Sequence, residues 1–85
     1  IRVSERDRVL SDLGEAGIGA GIHYPVPVHL TRAYRHLGLQ PGSFPVAEKA
    51  SGQILSLPIY PHITEAQQDY VAAKLRRALG NLRAD

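Results

Sequence analysis

The chain has 85 residues, 44% of them apolar, with ten Lys and Arg against eight Asp and Glu for a formal net charge of +2. A chain of this length makes one small domain that buries only about 60 to 65% of its unfolded surface. The lack of cysteine excludes disulfides and thiolate metal sites. No apolar run approaches the roughly 18 residues of a membrane span, there is no signal-peptide layout, and the charge is too small and too dispersed to suggest nucleic acid. A cytoplasmic protein with no membrane or nucleic-acid partner is the expectation. The chain starts at Ile1 and contains no methionine, so it reads as a piece of something longer.

Ile1–Val3 reads as a strand end. Ser4 and Asp7 have the spacing of a capping box, opening a helix with Val9, Leu10, Leu13 and Ala16 on one face. Gly17 is suited to the left-handed residue that ends it. A strand is expected over 18–24, halted where Pro25 and Pro27 remove backbone donors and hold the chain extended. This stiff rim carries His23, Tyr24 and His29, polar and aromatic groups at a place where sites are commonly built. Residues 30–37 form one or two helical turns closed by Gly38, and Pro41-Gly42 is a turn signal. Pro45 suits a first helical position, with Val46, Ala47, Ala50 and Ile54 at helical spacing. Residues 54–59 read as a buried strand stopped by Pro58 and Pro61. Thr64 and Gln67 form a capping box for a last helix with Val71, Leu75, Ala78, Leu79 and Leu82 as its stripe; Gly80 weakens its end, and Arg76, Arg77 and Arg83 complement its dipole. The architecture is α+β, about three short strands with three or four helices in one packed unit.

The four histidines match no metal-ligand spacing. His23 and His29 either contact a ligand or cap the proline-rich turn. His36 reads as a dipole partner at a short helix end, and His62 as a surface turn residue. Tyr24 and Tyr60 each precede a proline and either pack on it or, for Tyr24, join a site. Lys49 and Lys74 are the lysines that could form a Schiff base, but both read as solvated, and no phosphate loop, Gly-x-Ser-x-Gly or paired carboxylate is present. No catalytic, cofactor or metal residue is assigned within the chain.

The runs GIGAGIHYPVPVHLTRAYRHLG, FPVAEKASGQILSLPIYPHIT and EAQQDYVAAKLRRAL resemble the C-terminal part of the DegT/DnrJ/StrS nucleotide-sugar aminotransferases. The resemblance spans nearly the whole chain, and GI-x-x-x-IHYP-x-P-x-HL combined with LSLP-x-YP is more specific than either part. It implies the small C-terminal α+β domain of a pyridoxal-phosphate enzyme of the aspartate-aminotransferase fold. In such enzymes a large domain, absent here, carries the cofactor and the Schiff-base lysine, and the assembly is a homodimer. It further implies that Ile22, His23, Tyr24, Pro25, Pro27 and His29 border a substrate cavity for a nucleotide-linked sugar. His23 and Tyr24 would bind the substrate, and His29 would hold the loop. The implied reaction moves an amino group, commonly from glutamate, to a keto group of the sugar, and the 85 residues alone would be inactive. The family often has HLQPAY where this chain has HLTRAY, with Arg32 in place of a common proline. Two other readings are a sugar dehydratase of the same family and a non-catalytic α+β interaction module.

Overall fold

The computed structural model describes residues 1–83, with side chains described as far as Gly80. Among the described residues there are three α-helices: α1 (Arg6–Glu15), α2 (Pro45–Ser51) and α3 (Glu65–Arg83). Two 3₁₀ segments, Val28–Leu30 and Arg32–Leu37, lie between α1 and α2.

The expected strands shrink to two isolated antiparallel bridges, Arg2 with Ile54 and Gly21 with Ser56. Residues 53–56 lie between the other two segments. On one side Val3 N–H donates to Gln53 O (2.8 Å) and Leu55 N–H to Ile1 O (2.9 Å); on the other, Gly21 and Ser56 exchange both backbone bonds at 3.0 and 2.8 Å. The alternating residues that would extend these pairings are not there to do so. Beyond Gly21 the chain bends at His23 into its prolines, and beyond Ser56 it meets Pro58 and Pro61, which offer no donor. The α+β expectation is corrected in this respect: among the described residues the fold is mostly helical, with a minimal three-segment pairing in place of three strands.

The pairing is enough to set the core. Val3, Val9, Leu13, Ile18, Leu55 and Ala78 are buried together, with Leu10, Val71, Leu75 and Leu79 packed against them. The helical spacing of Val9 and Leu13 therefore faces α1 toward α3, as the sequence pattern requires. Gly17 has φ +79°, the left-handed conformation that lets the chain leave α1 and return Ile18 to the core.

The start of α1 departs from its expected cap. Ser4 and Asp7 do not pair; the cap position is Glu5, at φ 50° and ψ 45°. The Asp7 carboxylate is taken by the buried Arg6, whose Nε donates to Oδ1 at 2.7 Å, and Arg6 Nη1 donates to Ser51 O and Ile54 O at 2.8 and 3.2 Å. One guanidinium thus ties α1 to the end of α2. In α2, Pro45 does occupy the first turn, but the helix stops at Ser51, Ile54 passes into its bridge, and Val46 is 77% exposed instead of facing the core.

At α3 the capping box forms in both directions. Thr64 N–H donates to Gln67 Oε1 at 2.9 Å, and Gln67 N–H to Thr64 Oγ1 at 3.1 Å. The helix then runs through Gly80 to Arg83, so glycine does not end it. The expectations for the side chains of Leu82 and Arg83 lie outside the described residues.

Candidate functional site

The rim is built on the pairing of Gly21 with Ser56. Two residues beyond Gly21 an extended chain returns to the same face, so His23 comes over the side chain of Ser56. His23 Nδ1 lies 2.9 Å from Ser56 Oγ. The ring folds close to the backbone: a Cβ on Gly21 would meet His23 Cε1 at 3.4 Å. The next peptide, His23–Tyr24, is cis. The two rings meet edge to face with centroids 5.4 Å apart. Tyr24 is 71% exposed, and no side-chain hydrogen bond among the described residues engages its hydroxyl. His23 is exposed too, with one ring nitrogen held by Ser56 and the other, Nε2, able to donate or accept. The pair can therefore offer two hydrogen-bonding tips to a polar ligand from a backbone stiffened by Pro25 and Pro27; Pro27 has the extended values φ −62° and ψ 146°.

His29 is placed differently from the other two candidates. It is buried in the first 3₁₀ segment, with its ring edge against Phe44 (centroids 4.8 Å, 70°) and Nε2 3.2 Å from Glu48 Oε2. An ionised carboxylate only accepts, so Nε2 carries the proton that is donated. The Glu48 carboxylate accepts two more bonds, from Gly42 N–H at 2.7 Å and from Phe44 N–H at 3.0 Å. These two backbone donors hold its pKa below the ordinary value of 4.5, with a smaller lowering from His29 set against the cost of desolvation. Neither Glu48 nor Ser56 stands out in the sequence as a site residue. The available signals were a first-turn acid behind a proline in FPVAE and one hydroxyl inside the apolar run ILSLP.

A carboxylate with a lowered native pKa adds stability that is complete above its unfolded value and is lost as the pH falls through the native value. The stability difference between the protein and its Glu48→Gln variant should therefore be constant near neutrality and shrink below pH 4.5. Urea melts at stepped pH measure it; a difference that does not change on acidification would contradict the assignment.

The remaining candidates fall outside this site. His62 is an exposed turn residue, and His36 lies in the last turn of the second 3₁₀ segment, stacked on Tyr34 at 6.3 Å. The Tyr60 hydroxyl donates to Gln67 Oε1 at 3.1 Å, reinforcing the α3 cap. Lys49 is exposed, and the half-buried Lys74 holds its ammonium 5.4 Å from the centroid of the Tyr70 ring, whose hydroxyl donates to Ala16 O at 2.6 Å. No group of three His, Asp or Glu among the described residues could hold a metal ion, and no helix there is long and apolar enough to cross a membrane. A groove of about 630 Å³ is open and mostly apolar, lined among others by Ile18, Pro58, Ile59, Ile63, Tyr70 and Val71; none of the three rim candidates lines it.

Residues 1–76 match the DegT/DnrJ/EryC1/StrS aminotransferase family. The chain is 51% identical over 76 residues to the erythromycin biosynthesis sensory transduction protein EryC1 of Saccharopolyspora erythraea, covering 89% of this chain and 21% of that protein. It is 46% identical over 67 residues to the dTDP-3-amino-3,4,6-trideoxy-alpha-D-glucose transaminase of Streptomyces venezuelae, covering 79% of this chain and 18% of that one. Among solved structures, S. venezuelae DesV in complex with a ketimine intermediate superposes with a TM-score of 0.80 at 42% identity, over 91% of this chain and 21% of DesV. The chain thus spans about a fifth of the length of the relatives it matches.

Proposed function

Because the chain belongs to the DegT/DnrJ/EryC1/StrS aminotransferase family, we propose that it is the small C-terminal domain of a pyridoxal-phosphate-dependent enzyme that aminates a keto group on a nucleotide-linked sugar. The observation that carries this reading is the family match over residues 1–76, which takes in the whole rim. Relatives named as transaminases of dTDP-linked amino sugars support the substrate class.

The residues present do not fit the aldehyde of the cofactor. Lys49 is exposed on α2, and the Lys74 ammonium lies against an aromatic ring beside α1. The cofactor and the lysine that binds it are accordingly assigned to a large domain outside these residues. What this chain supplies is on the sugar side. Tyr24 and His23 hydrogen-bond the sugar or its diphosphate, Ser56 fixes the His23 ring, and His29 holds the loop that carries them. Packed over the cavity, the domain excludes water from the reacting groups. The open apolar groove beside Ile18, Tyr70 and Val71 and the exposed Tyr34, Phe44 and Val46 are surfaces that a large domain and a second copy in a homodimer would cover. Glutamate is the proposed amino donor and the cytoplasm the proposed compartment, which a multiply charged nucleotide sugar made there does not leave unaided.

The test uses the full-length protein with pyridoxal phosphate, ¹⁵N-glutamate and a dTDP-linked keto sugar. Label should enter the sugar with an equal yield of the keto acid. Consumption of the sugar without label would overturn the reading in favour of a dehydratase, and no turnover of either substrate would favour a regulatory role, as the names of some relatives suggest for those proteins.

A further inference from the structure

We infer that Glu48 is a positioning residue for the sugar-binding rim, acting through His29 to fix where Tyr24 and His23 stand; this rests on the proposed function. Three observations lead to it. First, one carboxylate gathers Gly42 N–H, Phe44 N–H and His29 Nε2–H, and so joins the 42–44 turn, the head of α2 and the rim at a single point. Second, His29 is the buried residue of the two 3₁₀ segments, with Leu30 only half-buried beside it, so the far end of the rim is held chiefly through the His29 side chain. Third, the rim is tied at both ends to different elements, His23 to Ser56 and His29 to Glu48, with Pro25 and Pro27 between them. A strut with few free dihedrals transmits a shift at one end to the other. Tyr24 stands between the ties with its ring in solvent, and its position is set by them.

The Phe44 ring completes the arrangement by packing edge-on against His29, so its imidazole is held by a ring contact as well as by the charged hydrogen bond. Removing the carboxylate leaves the His29 N–H buried and unpaired and frees the Gly42 and Phe44 N–H groups together.

The test compares Glu48→Ala and Glu48→Gln with the unaltered full-length protein by two readouts. The kinetic one is the KM for the keto sugar against the rate of the donor half-reaction. Glu48→Ala should raise that KM about tenfold, from the loss of hydrogen bonds worth of that order together, with a much smaller loss on the donor side. Glu48→Gln, which keeps one accepting oxygen, should recover part of it. The second readout is hydrogen exchange of the Leu30 and Thr31 amides, whose N–H groups donate to Pro27 O and Val28 O on either side of His29; it needs no substrate and so stands whatever reaction the protein catalyses. It should quicken there in Glu48→Ala, with the α1 and α3 amides unchanged. Leu30 and Thr31 amides that exchange no faster in Glu48→Ala would overturn the inference, as would equal losses in both half-reactions without rescue by Gln. Failure of the unaltered protein to aminate a sugar would instead overturn the proposed function and leave the exchange result to decide on Glu48.

Discussion

Leu13→Ala should destabilise this domain by about 2 to 5 kcal/mol, the range for deleting three buried carbons from a packed core. Leu13 is fully buried at the centre of the cluster that includes Val9, Ile18, Leu55 and Ala78, and it lies where α1 meets α3. Its carbonyl also accepts the Ile18 N–H at 2.9 Å, so the return from α1 depends on the same residue. In so small a core the surroundings have few ways to collapse into the space, which favours the upper part of the range. Val46→Ala is the natural control. Val46 is apolar and sits on a helix, but at 77% exposure its loss should change stability by no more than about 0.5 kcal/mol in the chain alone. Denaturant melts of the two variants check this. Equal effects would mean that the core lies elsewhere than among these residues.

What could be read from the sequence was chiefly local. The capping box of Thr64 and Gln67, the left-handed Gly17 and Pro45 at the head of α2 each depend on residues within four positions of one another, and each formed. The α1 cap failed for a reason that is not local: Arg6 reaches carbonyls 45 and 48 residues away and takes Asp7 with it. The strands are shorter than the apolar runs suggest because a ladder needs a backbone N–H at alternate positions, and the prolines that follow Gly21 and Ser56 supply none, so pairing stops after one bridge on each side. The rim shows the same division. Its stiffness was legible in two prolines, and His23 and Tyr24 in their position. Their partners were not, since Ser56 and Glu48 lie 33 and 19 residues from the histidines they hold and neither contact has a local spacing that announces it. His29, near the other two in sequence, is turned inward against Glu48 and Phe44.

On the proposed function, His23 and Tyr24 serve the sugar and leave the amino donor to residues outside this chain. Each side chain offers one free hydrogen-bonding tip at an exposed rim, and a bond to a charged or polar ligand group in a partly dry cavity is worth about 1 to 3 kcal/mol, roughly 5- to 150-fold in specificity constant. Pro25→Ala removes no contact and only loosens the backbone, so its effect should be smaller than either. Ser56→Ala should fall between, because it frees the His23 ring without deleting it. The most direct measurement is single-turnover kinetics of the two half-reactions, taken separately, in the full-length protein carrying His23→Ala or Tyr24→Phe. The expected result is a loss of that size in amination of the keto sugar and a markedly smaller one in the reaction with glutamate. Equal losses in the two half-reactions, or no loss in either, would contradict the account and reduce both residues to structural parts of the turn.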